Sequence, residues 1–187
     1  GLRCLAVCYR VYDVDEIPFK STVSYKLEDQ DAEVLFANMV WTCCVGIADP
    51  VRDEVPEAVR TCHKAGIVVR MVTGDHLETA KHIAKQCGIL TCADHVCMTG
   101  AEFRMLSDED KKSVLPRLRV LARSKPADKE ELVIWYRTSN TPKDIVAVTG
   151  DGANDALALK NADVGLSMGI QGTDVAKEAS DVIIMDD

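Results

Sequence analysis

Short apolar runs alternate with amphipathic stretches along the chain from residue 49 onward. The runs predict strands at 67–72, 118–122, 145–149, 164–167 and 182–185. Apolar residues recurring every three or four positions predict helices at 54–65, 78–87, 127–136, 155–162 and 173–179, with a shorter charged helix after Ser107. Such alternation is typical of a parallel sheet wound with helices, so we predict an α/β domain.

Residues 1–48 follow a different pattern. Two apolar runs, 5–11 and 39–47, are separated by a polar segment rich in Asp, Glu and Lys. Pro50 fixes its own φ and disfavours a helix at the preceding residue, which predicts a hinge at 49–52. We therefore expect two parts, and the apolar residues near both termini suggest cuts within a longer protein.

Charge and cysteine usage narrow the function classes. The formal net charge of −8, from 22 Lys and Arg against 30 Asp and Glu, argues against a nucleic-acid surface. No apolar run reaches the roughly 18 residues that a membrane span needs. The eight cysteines form no zinc-type CxxC pair and fall in apolar stretches, which predicts reduced, buried thiols.

The segment 149–155 carries the strongest chemical signal. It follows a predicted apolar strand and opens a predicted helix, and its two glycines allow a tight turn close to a ligand. Asp151 and Asp155 can aim carboxylates at one point, and Mg²⁺ prefers one or two carboxylates with waters and a phosphate. The structural alternative is an ordinary strand-to-helix turn with capping carboxylates.

Two further elements favour phosphate binding. Thr73, Gly74 and Asp75 follow a predicted strand and precede a helix, where a hydroxyl and free amides can seat an anion. Lys129, near the start of the helix at 127–136, can supply a positive charge to a phosphate. A simple helix cap and a solvated lysine are the alternatives for these two elements.

Taken in order, these elements resemble the phosphorylation domain of the P-type ATPases within the haloacid dehalogenase superfamily. Residues 49–52 (DPVR) resemble the hinge between nucleotide and phosphorylation domains, 73–75 resemble the threonine motif, and Lys129 falls on the motif lysine. Residues 149–160 resemble the signature TGDGxNDxxALK, with Leu157 standing where the family usually has proline. Residues 1–10 resemble the closing part of a nucleotide-binding domain.

The resemblance implies an architecture. It predicts a haloacid dehalogenase-like Rossmannoid parallel sheet with helices on both faces over 49–187, and a β-rich remnant of the nucleotide-binding domain over 1–48. The stretch DKTGT, whose aspartate is phosphorylated in this family, does not occur in the chain. We therefore expect a domain without its N-terminal nucleophile strand, inactive alone. We also expect 39–47 or a neighbouring chain, giving a dimer, to fill the resulting gap in the sheet.

The resemblance also implies roles in phosphate binding. Thr73 and Gly74, with Asp75, would hold the transferred phosphate, and Lys129 would neutralise its charge. Arg123 would contact the nucleotide phosphates from a strand end. Arg52, beside the hinge, is a weaker candidate for the same contact.

For the metal, the resemblance implies that Asp151 binds Mg²⁺ together with Asp155, while Asn154 completes and braces the site. Residues 165–178 look most like the calmodulin-regulated, plasma-membrane type of calcium pump. The parent would then be an ion pump that couples ATP hydrolysis, through an aspartyl-phosphate, to cation transport. Calcium would bind in its other domains, and this chain would be a cytosolic domain of an integral membrane protein.

Two other functions stay open. In the first, the chain is a free-standing haloacid dehalogenase-like phosphatase with Asp13 as nucleophile, because Asp13 and Asp15 follow the run 5–11 and precede the other motifs. The residues at 16–18 fit that loop poorly, and the hinge has no purpose in such an enzyme. In the second, the chain is a non-catalytic module that holds Mg²⁺ and phosphate.

Overall fold

The computed structural model describes residues 3–13, 33, 36–47, 50–139 and 144–185. The chain forms two compact units, Leu2–Pro50 and Val51–Asp187. The identity of the first unit as a nucleotide-domain remnant stays a prediction. None of the described helices combines the length and the apolar composition of a bilayer-crossing segment.

The first unit contains an antiparallel pair of strands, β1 (Arg3–Tyr9) and β2 (Val40–Ile47). Arg3 lies opposite Ile47, and the register shifts once along the pair. Every residue of β2 is exposed, including Trp41, which keeps 64% of its surface in solvent. The apolar run at 39–47 coincides with β2 within one residue, whereas β1 begins and ends two residues before the run at 5–11.

The second unit contains two parallel sheets of three strands each. The first has the order β3-β5-β4 and consists of β3 (Met71–Val72), β4 (Val96–Thr99) and β5 (Leu118–Ala122). The second has the order β6-β7-β8 and consists of β6 (Ala147–Gly150), β7 (Val164–Met168) and β8 (Val182–Ile184). The α/β prediction is confirmed.

Seven α-helices are described in the second unit, as α1 (Val55–Lys64), α2 (Leu77–Gln86), α3 (Gly100–Met105), α4 (Asp108–Val114), α5 (Pro126–Ser139), α6 (Ala156–Asn161) and α7 (Asp174–Glu178). Side chains of Thr99, Ser107 and Thr173 accept backbone amide hydrogens at the starts of α3, α4 and α7. These caps satisfy amides that have no partner within the helix. Pro126 opens α5, where a missing amide hydrogen does no harm.

Helices cover both faces of the first sheet. Val120 and Ala122 of β5 pack in a cluster with side chains of α1 and α2, while Leu121 packs with α3 and α5. Helix α5 also places Val133 against Ala158, in the cluster beside the second sheet. Because α5 contributes to both clusters, it ties the two sheets together.

The outer strands of both three-stranded sheets each have one edge without a ladder partner among the described residues. Strand β3 pairs there only with β5, and β6 only with β7. The prediction that 39–47 fills the sheet is wrong, because β2 forms its ladder with β1. The two apolar runs of the first unit satisfy each other's backbone groups. Filling of the gap by a neighbouring chain stays a prediction.

Two sequence expectations fail in detail. The strand predicted at 67–72 is reduced to Met71–Val72, and neither β4 nor α3 was predicted. All eight cysteines are free, as expected, but only Cys87 is buried. Five are exposed, namely Cys4, Cys8, Cys43, Cys44 and Cys92. Four of the five lie on β1 and β2. Residues 4–9 of β1 and all residues of β2 are exposed, so an apolar run there does not imply burial.

Candidate active site

The predicted site residues follow the carboxyl ends of three parallel strands. Thr73 comes directly after β3, Arg123 directly after β5, and Asp151 directly after β6. Lys129 lies in the first turn of α5, which leaves the end of β5. In open α/β sheets the loops at the carboxyl ends of the strands are the usual place for ligands.

The turn after β3 is tied to the end of β5. The Thr73 amide donates to the Leu121 carbonyl (2.9 Å), and the Thr73 carbonyl accepts from the Ser124 amide (3.1 Å) and hydroxyl (3.0 Å). The Thr73 hydroxyl donates to the Asp75 carboxylate and accepts from the Asp75 amide, each at 3.1 Å. The hydroxyl and the amide are therefore fixed before any ligand binds.

Gly74 has no structural reason to be glycine within the described chain. Its φ is not in the left-handed region, and a Cβ added there would meet nothing within 4 Å. Gly74 is also exposed, between the ordered Thr73 and Asp75. A glycine in open space at this turn leaves room for a ligand to approach the backbone closely.

Arg123 adopts a backbone conformation that is uncommon for a residue with a side chain, with φ of 48°. Its amide donates to the Asp75 carbonyl (3.0 Å), which joins the turn after β5 to the turn after β3. The Arg123 side chain is exposed. Strained backbone of this kind clusters at ligand sites, where the surrounding structure maintains it.

Lys129 and Asp155 form the central polar contact of the site. The Lys129 Nζ lies 2.5 Å from Asp155 Oδ1, and the two side chains are only 15% and 12% exposed. Such charge-assisted bonds are short and strong, more so where water is scarce. Sequence reasoning assigned these two residues separate roles, whereas the structure brings them into contact although they lie 26 positions apart.

Gly150 makes this arrangement possible. A Cβ at position 150 would lie 2.6 Å from the Asp155 Cβ, closer than real Cβ contacts come. The strand end therefore packs directly on the buried aspartate, which is 8% exposed. Sequence reasoning identified Gly150 as a turn residue; its packing role shows only in three dimensions.

Asp151 and Asn154 stay exposed at the turn after β6. The Asp151 carbonyl accepts from the Thr173 amide (2.8 Å), which fixes the backbone and leaves the carboxylate outward. Within the described residues no group of three His, Cys, Asp or Glu side chains is placed to hold a metal. Mg²⁺ needs only one or two carboxylates, so the hard oxygen donors of Asp151 and Asp155 fit it.

The described hydrogen bonds leave the site in two halves. None of them links Thr73 or Asp75 to Lys129, Asp151 or Asp155. Sequence reasoning missed Ser124, which donates twice to the Thr73 carbonyl. The one feature of the sequence that could have identified Ser124 as a site residue is its place beside Arg123, two residues after the end of a predicted strand.

A family model described as a haloacid dehalogenase-like hydrolase matches residues 10–163. This chain belongs to the haloacid dehalogenase-like hydrolase family. The match spans both halves of the site, the Thr73 turn and the Lys129–Asp155 pair. The fold expected from the resemblance, a haloacid dehalogenase-like parallel sheet with flanking helices, is thereby confirmed.

Curated relatives of this haloacid dehalogenase-like chain are calcium-transporting ATPases. It is 52% identical over its whole length to calcium-transporting ATPase 2 of Schizosaccharomyces pombe, covering 14% of that protein. Identity is 49% to plasma membrane calcium-transporting ATPase 4 of Bos taurus, over the whole chain and 16% of the relative. A plasma membrane-type calcium-transporting ATPase 3 of Oryza sativa is 56% identical over 79% of this chain and 14% of its own length.

The alternative nucleophile, Asp13, does not follow a parallel strand. Asp13 belongs to the first unit and is exposed beyond the end of the antiparallel β1. Nucleophiles in open α/β sheets are expected at the carboxyl end of a parallel strand. Together with the relatives, this position favours the pump over the free-standing phosphatase. Residues 14–18, which complete the alternative loop, lie outside the described part of the chain.

Proposed function

We propose that this chain is the phosphate-handling part of the phosphorylation domain of an ATP-driven calcium pump. The observation that carries the proposal is the Lys129–Asp155 pair, held at 2.5 Å beside the exposed Asp151 at the end of β6. A lysine against carboxylates at a strand end suits phosphoryl transfer, where catalysis consists mainly of positioning and charge stabilisation.

Each half of the site has its own task in this proposal. Thr73 offers its hydroxyl and Gly74 its backbone to the oxygens of the transferred phosphate. Asp75 takes part by orienting the Thr73 hydroxyl, which it contacts through its amide and its carboxylate. Lys129 supplies the positive charge that offsets the phosphate, while Asp155 holds the ammonium in place. Arg123, exposed after β5, contacts the nucleotide phosphates.

The metal in this proposal is Mg²⁺, held by Asp151 with Asp155, and braced by Asn154. Mg²⁺ would neutralise charge on the phosphate oxygens. The exposed carboxylate of Asp151 leaves space for the waters that Mg²⁺ retains. The buried Asp155 orients the turn through its bond to Lys129.

The parent protein in this proposal couples ATP hydrolysis to calcium transport, as the names of the relatives state for those proteins. The chain spans only about a seventh of their length, between 14% and 16%. Transported calcium, the phosphorylated aspartate and most of the nucleotide surface would lie in other parts of the pump. This chain would face the cytosol and would not hydrolyse ATP alone.

Thermal unfolding with and without Mg²⁺ plus inorganic phosphate, a mimic of the phosphoryl group that needs no bond to the phosphorylated aspartate, tests the site. Ligands that bind only the folded state stabilise it by about 2.7 kcal/mol at a hundredfold excess over Kd. We expect Mg²⁺ with the mimic to raise the unfolding temperature. Asp151→Ala should abolish this rise in unfolding temperature. Asp94→Ala, which removes an exposed aspartate outside the proposed site, should still show the rise.

A phosphatase assay on the same samples separates the alternatives. The proposal predicts no turnover of a generic phosphate ester. Turnover that disappears in Asp13→Asn would overturn it in favour of the free-standing phosphatase. Equal stabilisation of the Asp151→Ala protein would show that the turn after β6 is not the metal site.

A further inference from the structure

Asp128 is the most deeply buried charged residue among those described, with 1% of its surface exposed. Its Oδ2 accepts from Arg104 Nη1 at 2.5 Å and from the Lys125 amide at 2.8 Å. Aspartates are almost never fully buried unless they are paired. Neither the proposed phosphate contacts nor the proposed metal site uses this carboxylate.

The contacts of Asp128 fix the start of α5. The bond to the Lys125 amide closes the first turn of the helix from inside, as the acidic residue of a capping box does. The bond to Arg104 attaches the same turn to α3. Gly100, at the start of α3, comes so close that an added Cβ would lie 2.4 Å from Asp128 Oδ2.

Lys129 is the next residue along this turn. Successive side chains on a helix point about 100° apart, so Asp128 can face α3 while Lys129 faces Asp155. Lysine has a long, flexible stem, so the reach of its ammonium depends on where its backbone is held. The backbone of Lys129 is held through Asp128 on one side and by the packing of α5 on the other.

We propose that Asp128 is a positioning residue for Lys129. Together with Arg104 it sets the height and rotation of the first turn of α5, so that the Lys129 ammonium meets Asp155. This inference rests on the proposed function for its importance to phosphate binding. The position of the Lys129 ammonium depends on Asp128 whether or not the site binds phosphate.

The test is competitive acetylation of lysines by acetic anhydride, read residue by residue by mass spectrometry on the 187-residue chain. An amine in an ion pair reacts only when the pair opens, so its rate reports how often it opens. In Asp128→Asn we expect Lys129 to react about threefold faster or more. Lys160, exposed on α6, should keep its rate. A merely structural loss would raise the rates of all lysines together.

Arg104→Gln keeps the test decisive if Asp128→Asn fails to fold. The Arg104 side chain is 39% exposed, so its removal leaves the core intact while taking one donor from Asp128. It should also raise the rate at Lys129 selectively, and Asp128→Glu should restore part of the protection. An unchanged Lys129 rate in a folded Asp128→Asn or Arg104→Gln protein would overturn the inference.

The unfolding measurement with Mg²⁺ and inorganic phosphate distinguishes this inference from the proposed function. Selective exposure of Lys129 in a protein whose wild type shows no ligand stabilisation would support the positioning role and refute the proposed site. If the ligands stabilise the wild type but the variants leave Lys129 reactivity unchanged, the proposed site is supported and the positioning role of Asp128 is refuted.

Discussion

Gly150 and Gly74 both lie at the junction of a strand and the turn that follows it, but glycine is suited to the two positions for different physical reasons. Position 150 has no room for a Cβ, because Asp155 packs against it. Position 74 has ample room, and its φ lies outside the left-handed region. The first glycine therefore serves the fold of the site, and the second serves access to it.

The two glycines give a matched pair of variants. Gly150→Ala should destabilise the chain by about 1–3 kcal/mol, because overpacking displaces Asp155 from Lys129. Gly74→Ala should change stability by less than about 1 kcal/mol, because nothing opposes the added methyl. Denaturant unfolding measures both effects. Equal stability losses would contradict the geometry at position 150.

The same variants should differ in ligand response. Gly74→Ala should weaken stabilisation by Mg²⁺ with the phosphoryl mimic although the fold is intact, since its methyl occupies the approach to Thr73. Full retention of the response in Gly74→Ala would argue against a phosphate seat at this turn.

At the residue scale, the sequence showed which side chains carry chemistry but not which ones meet. Asp151 and Asp155 look equivalent in the segment 149–155. In the structure, however, Asp151 is exposed, whereas Asp155 is buried and paired with Lys129. That pairing joins residues 26 positions apart, and no local pattern encodes it. The left-handed backbone of Arg123 is equally invisible, because arginine has no preference for it.

Helices and strands were predictable where a clear sequence signal marked where they begin. Helix α5 begins at Pro126, one residue before its predicted start, because proline is a strong signal at a helix start. Strand β4 and helix α3 were missed, because Thr99 ends the strand and Gly100 begins the helix, so no loop with its own turn signal separates the two elements. Strand β3 is shorter than predicted, and the preceding Ile67 and Val68 are 56% and 44% exposed, so apolar character alone did not extend it.

Helix α3 gives an element-scale prediction, because it depends on a capping box. Glu102 accepts from the Thr99 amide (2.7 Å) and hydroxyl (2.8 Å), and the Thr99 hydroxyl accepts from the Glu102 amide. The bonds donated by Thr99 lower the pKa of Glu102. Because Glu102→Ala removes the capping-box bonds to Thr99, it should reduce stability by about 0.3–1 kcal/mol at pH 7.

The pH dependence of that loss follows from the sign of the shift. A carboxyl whose pKa is lowered on folding stabilises the fold above its unfolded pKa and ceases to do so as pH falls through the folded value. The difference between wild type and Glu102→Ala should thus shrink on acidification below the ordinary pKa of glutamate. Glu109→Ala, in the first turn of α4, provides the control. A difference that grows in acid would contradict the assignment.

On the scale of the whole molecule, the second unit is an α/β domain in two half-sheets joined by α5. Alternation of apolar runs and amphipathic stretches predicted its class, but not the division of its strands into two sheets of three. The described ladders leave β3 and β6 each with an open edge, where another strand can pair. Self-association of the isolated chain through these edges stays a prediction.

The partner of β2 was the main error at this scale. Its apolar character suggested that 39–47 would pair in the parallel sheet, in place of the nucleophile strand. Strand β1 is equally apolar, lies in the same unit and pairs with β2 instead. Strand character is local, whereas the choice of partner depends on the whole fold, and an isolated run carries too little information to decide it.

Calcium uptake by membrane vesicles that contain the full-length protein tests the central claim most directly. The account predicts ATP-dependent uptake by the wild type and by Asp94→Ala. It predicts loss of uptake in Lys129→Ala, because that variant removes the charge held against Asp155 at 2.5 Å. Absence of uptake by the wild type, or uptake at the wild-type rate in Lys129→Ala vesicles with equal protein content, would contradict the account.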